Sequence, residues 1–289
     1  MTLALGIFFA IACAIATNVG FLYRHRGACS VTPVDLRRPM ASARSLFSSR
    51  AFTLGMVIAV GAWIFHVVAM ALVPLSVVQC VLAGGVVLLA AMAEWLFGLR
   101  VGRRQWLGLG LTTAGLVLLG FTLPGSHGAY SRFSAPGLIV FETGLLAVGT
   151  LLIVGRQIGT RPEHHGFMLG AGAGILFAVS DVAIKALTGV VGVHGVAGLI
   201  SPWTLVTVAA YIAAFYASAK GLQEGEAVAV IAIICTAGNV FGIVGGIIVF
   251  GDPLPGSPVG IFLQCLAFAL VILAAWLTPG PVRLASGTA

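Results

Sequence analysis

The sequence predicts an all-α polytopic membrane protein, a bundle of about nine transmembrane helices arranged as an inverted repeat. Three observations carry that expectation: the composition, the lengths of the apolar runs, and the placement of the basic residues. Of 289 residues, 60% are hydrophobic and only 8% are charged, where a soluble domain carries about 25% charged residues. Mean hydropathy is +1.11. A chain this apolar is no soluble enzyme, nucleic-acid binder or disordered protein, although its pI is near 9.7. In a bilayer, helices satisfy their own backbone polar groups. The expected surroundings are therefore the lipid bilayer of a cell membrane, with no nucleic-acid partner.

A hydrocarbon core about 30 Å thick takes roughly 20 apolar residues per helix. The runs that meet this cover about 3–23, 52–73, 74–98, 105–123, 136–155, 167–188, 203–220, 226–250 and 258–277. Pro74 separates the second from the third, which predicts a very tight hairpin. The stretch 189–202 is apolar, short and Gly-rich, and reads as a loop, a re-entrant half-helix or a tenth span. The first run has no positive segment before it and is long enough to span, so it reads as a membrane helix rather than a cleaved signal.

Lys/Arg excess marks cytoplasmic loops. With nine spans, thirteen of the fifteen basic residues fall on one side, from Arg24 to Arg50 in the first loop through Arg283 in the tail. Arg132 alone falls on the other side, and Lys185 lies within a span. The N-terminus is then outside and the C-terminus cytoplasmic. A tenth span before residue 203 would move Lys220 and Arg283 across and weaken the asymmetry. The basic balance is thus a topology signal before it is a partner signal, although a cationic first loop also suits anionic headgroups.

The halves resemble one another. Thr17-Asn18 in the first span matches Ser180-Asp181 in the sixth, and spans two to four match spans seven to nine in order, with Glu94 and Asp252 as their acids. The units begin five spans apart, an odd number, so the second is inverted. The predicted organisation within the single membrane domain is 1–123 as first repeat, 136–155 as connector span and 167–277 as second repeat. Inverted repeats with a central site are the architecture of secondary transporters.

The stretch from Ala71 through Pro74-Leu75 to Val77-Val78, continuing to Ala83-Gly84-Gly85, is similar to the opening of the third helix in NIPA-type magnesium transporters, a branch of the drug/metabolite transporter superfamily. Gly98-Leu99-Arg100 and Gly108 to Gly120 resemble the family's next turn and fourth helix. The recognisable stretch is 60–123. The family's helix-two acid falls on Ala62 here, its second helix-three proline on Cys80, and its acid after that helix on Leu99. The resemblance implies transport of a divalent cation such as magnesium, or, by wider superfamily precedent, of a small organic metabolite.

Ionisable residues inside a membrane are costly, about 2.5–3.5 kcal/mol for a central carboxylate on insertion scales, and they face a bundle interior or a watery cavity. Asp181 is the leading candidate, ~10 Å deep by helical rise. Lys185, four residues on, shares its helical face, which predicts an ion pair of structural or coupling character. Asn18 is its inverted counterpart. Glu94 near Arg100, Arg103 and Arg104 reads as an interfacial acid. Glu142, His66, Gln79 and Gln264 fall in the outer parts of their spans, and Asn239 near mid-span. Together they predict an outer polar cavity lined by spans two, three, six, eight and nine.

The GxxxG pairs Gly170/Gly174 and Gly242/Gly246 mark close helix approach, within the bundle or at a homodimer seam. The five cysteines have no zinc-ligand spacing, and any metal ligands stay unassigned. No nucleotide-binding loop or nucleophile motif appears, so no cofactor, no enzymatic activity and no ATP-driven transport by this chain alone are expected. The function read from these features is alternating-access transport of a small solute. The alternative is a non-transporting scaffold or lipid-handling protein of the cell envelope, which would bury Asp181 and Lys185 in a dry bundle.

Overall fold

The computed structural model describes residues 2–97, 102–122, 133–155, 164–252 and 255–277. The described residues form ten α-helices and a short 3-10 helix. They are α1 (Thr2–Ala28), α2 (Pro39–Ser48), α3 (Arg50–Leu72), α4 (Leu75–Phe97), α5 (Arg103–Thr122), α6 (Ala135–Val154), α7 (His165–His194), α8 (Pro202–Glu224), α9 (Ala227–Phe250) and α10 (Pro258–Leu277). Among the described residues, six helices are long and apolar enough to cross a membrane: α1, α3, α6, α7, α8 and α9. The described apolar stretches of α4 and α10 are shorter, Leu75–Gly85 and Pro258–Leu270. The chain is a polytopic helical membrane protein.

Helix ends follow local chemistry. Pro202 opens α8 at a position where its missing N–H costs nothing. Ser134 caps α6 by accepting from the Gly137 amide. Gly251 ends α9 at φ +63°, a left-handed position that costs glycine no steric penalty. The stretch 189–202 forms no tenth helix. α7 runs on to His194, Gly195–Leu199 make one 3-10 turn, and Pro202 starts α8. The first loop holds an unanticipated helix, α2, opened by Pro39 and docked by Ser42 and Leu46, buried four residues apart on one face. Its Leu46 is buried while Met40 is exposed.

α7 is the central helix, buried along most of its length. It packs on α8, α9 and α6, while α1 packs chiefly on α3 and α4. α4 lies against α9, and α5 against α10. Apolar side chains such as Phe8, Val57, Val140, Leu205 and Phe262 stay exposed, as a surface that meets lipid tails requires.

The glycine pairs pack within the bundle. A Cβ on Gly174 would collide with the Ile234 carbonyl and sit 2.8 Å from Ala237 Cβ. Gly170 faces Val230 and Ile233 in the same way. Gly174→Ala is therefore expected to force α7 from α9. Overpacking a tight core typically costs about 1–3 kcal/mol, and a lowered unfolding midpoint of the purified protein in detergent checks it.

Candidate functional site

The α3–α4 turn is the first place where polar groups meet. The last carbonyls of α3 and the first amides of α4 have no intrahelical partners. Lys185 Nζ donates to Met70 O at 2.6 Å and to Val73 O at 3.0 Å. The Asp252 carboxylate, just past α9, accepts from the Ser76 amide at 2.8 Å. A cation thus closes one helix C-terminus and an anion the next N-terminus, the signs the helix dipoles favour.

This corrects the expected Asp181–Lys185 pair. The two share an α7 face, yet Asp181 takes other partners. Gln79 Nε2 donates to Asp181 Oδ2 at 2.8 Å, and His66 Nε2 lies 3.8 Å from Asp181 Oδ1. Lys185 points instead to backbone carbonyls, because free carbonyls at the α3 terminus lie within its reach.

Asp181, His66 and Gln79 open onto an internal chamber of about 120 Å³. Asn18 and Asn239 also line it. Asn18 Nδ2 donates to Ala14 O at 2.8 Å and to Gly85 O at 2.7 Å, tying α1 to α4. Several chamber groups lack hydrogen bonds: Asn18 Oδ1, Gln79 Oε1 and Asn239 Nδ2 are buried without one, and His66 Nε2 has only its 3.8 Å approach to Asp181. Buried polar groups are normally satisfied by protein or water, so this unmet capacity describes a place for water or a ligand.

Five of the predicted residues come together there: Asn18, His66, Gln79, Asp181 and Asn239. Lys185, Glu142 and Gln264 do not line it. Glu142 on α6 and Gln264 on α10 are buried away from it. The Glu94 side chain lies outside the described residues. The predicted lining therefore needs two changes: among the described residues α10 contributes none, and α1 and α8 join α3, α4, α7 and α9.

Sequence reasoning missed Arg24, Tyr211 and Trp63, which also line the chamber. The sequence expectation puts Arg24 in the first cytoplasmic loop, because a membrane span normally ends at its first charge. α1 instead continues to Ala28, which puts Arg24 inside the helix at 4% exposure. The signal was present: Cys13, Thr17, Phe21 and Arg24 recur at intervals of four, four and three, one helix face.

Helices whose apolar side chains stay exposed, packed around a partly open, mainly apolar pocket that holds a few polar groups, define a multi-pass membrane protein with a pocket among its helices. No family model and no solved structure matches the chain. It is 25% identical over 275 residues to the "Probable magnesium transporter NIPA9" of Arabidopsis thaliana, across 91% of this chain and 78% of that protein. The chain is thus similar to a NIPA-type protein along nearly its whole length, well beyond residues 60–123.

Proposed function

We propose that this chain is a secondary transporter that carries a small solute through a cell membrane by alternating access, with the Asp181 chamber as its site. The observation that carries this reading is the chamber itself: a partly open pocket among the helices, lined by a carboxylate and by several buried polar atoms without hydrogen bonds. A scaffold has no use for such unmet polar capacity, which costs about 1–3 kcal/mol per group in a dry interior. The name of the Arabidopsis relative makes magnesium the first solute to try.

The inverted-repeat reading draws support from the packing. α1 pairs with α3 and α4 as α7 pairs with α8 and α9, while α4–α9 and α5–α10 join the halves. α6 then serves as connector, between repeats at 1–123 and 167–277. Asn18 and Asp181, the proposed counterparts, line the same chamber. Nine spans follow if α4, α5 and α10 also cross, and their 23, 20 and 20 residues are sufficient for that.

The test is uptake into liposomes by purified protein, over Mg²⁺ and small metabolites, with and without a pH gradient. Saturable flux is expected for at least one solute. A folded protein that moves none of them overturns the transport reading and leaves the scaffold.

Orientation is tested separately at Cys29, which follows α1. With the first loop cytoplasmic, a membrane-impermeant maleimide should label Cys29 only after permeabilisation, with Cys29→Ser as the blank. Burial pushes its thiol above the usual range, and its Sγ lies 3.6 Å from Leu222 O. The thiolate is the reactive form. Labelling near pH 7 should therefore be slower than for a free thiol and should still be accelerating above the pH where a free thiol levels off. Labelling of intact cells reverses the orientation.

A further inference from the structure

The chamber holds a second charge. Arg24 is 4% exposed, and no carboxylate lies within ion-pair distance of it among the described residues. Its guanidinium stacks 4.1 Å from the Phe21 ring centroid, and Nη1 lies 3.9 Å from Met56 Sδ. Nε is buried without a partner. Stacking occupies the face of the guanidinium. Its N–H donors lie in the plane, in a fork that fits a carboxylate. Charged groups at membrane depth are ordinarily paired, and this guanidinium lines the chamber with its Nε unpartnered.

Asp181 supplies the opposite charge. Gln79 lies six residues along α4 from Gly85, whose carbonyl takes Asn18, and Arg24 lies six residues beyond Asn18. With α1 and α4 parallel, as in the proposed topology, the two charges are separated by two steps of about 9 Å less the reach of the side chains. Between them lie two free acceptors, Asn18 Oδ1 and Gln79 Oε1, and one free donor, Asn239 Nδ2. A bare divalent cation wants several oxygen ligands of its own and is repelled by Arg24. A molecule with both charges satisfies both ends.

We propose that the chamber binds a small zwitterion, with its carboxylate on the Arg24 fork and its ammonium group on Asp181. This rests on the Asp181 chamber being the solute site. The charge separation selects an amino group several methylenes from the carboxylate over an α-amino acid.

The experiment is thermal unfolding of the full-length protein in detergent, titrated with 4-aminobutyrate, 6-aminohexanoate and 8-aminooctanoate. Hexanoate, hexylamine and Mg²⁺ are each titrated alone as comparisons. At least one zwitterion should raise the midpoint saturably, where hexanoate and hexylamine do not. Arg24→Gln should raise its Kd at least tenfold. Arg24→Lys keeps the charge, loses the fork and should fall between; it carries the test if Arg24→Gln does not fold. The inference is overturned if no zwitterion stabilises the protein, if either foldable Arg24 variant binds it as wild type does, or if Mg²⁺ alone stabilises. Zwitterion binding without flux in liposomes defeats only the transport reading. Mg²⁺ flux without zwitterion binding defeats only this inference.

Discussion

Asp181→Asn is expected to yield a folded protein whose solute flux is about a hundredfold below wild type. The substituted side chain keeps its shape and an oxygen that can accept from Gln79 Nε2, a bond of 2.8 Å in the native protein. What it loses is the charge facing His66 and the chamber. Removing one partner of a buried charged hydrogen bond costs about 2–5 kcal/mol, and each 1.4 kcal/mol is about tenfold. The companion variant is Asp181→Asn with His66→Gln. If the acid only balances His66, the pair should recover wild-type flux. If the acid meets the solute, the double variant folds and stays inactive. Proteoliposome uptake per folded molecule decides it.

The second large effect is expected at Lys185, and on stability instead of flux. Lys185 is fully buried and donates to two carbonyls at the end of α3. Hydrogen bonds to charged groups contribute about 1.5–3 kcal/mol each, so Lys185→Met should cost about 3–6 kcal/mol. Against a total stability of about 5–15 kcal/mol, that is enough to leave much of the protein unfolded at growth temperature. The unfolding midpoint in detergent should fall steeply. The fraction that folds should transport at the wild-type rate, because Lys185 stands off the chamber. A normal midpoint with lost flux would instead make Lys185 a coupling residue.

Much of the architecture was legible because membrane helices announce themselves by length. The expected second run, 52–73, differs from α3 by two residues at one end and one at the other. α1 runs five residues past the expected end at 23, because a charge does not always mark the end of a membrane helix. Buried arginine is the exception, and a rule about averages cannot locate a site. The chamber was half legible for a related reason. Depth can be counted along a helix, so Asp181, Asn18 and Asn239 were found. Direction depends on what a side chain meets. Gln264 and Glu142 sit at suitable depths but face away, and Lys185 takes carbonyls on α3 that nothing near it in sequence reveals.

The clamp on the α3–α4 turn ties assembly to the order of synthesis. Its partners are 112 to 176 residues downstream of the groups they hold. At about 5–20 residues per second, a ribosome needs roughly 6–23 s to reach Lys185 after α3, and longer to reach Asp252. During that interval the turn lacks the Lys185 and Asp252 contacts that satisfy its open carbonyls and amide. The first half of the chain is therefore made before the groups that satisfy its turn exist. Fragments of the two halves made together should mature better than the first half made alone, which would remain a substrate for membrane quality control.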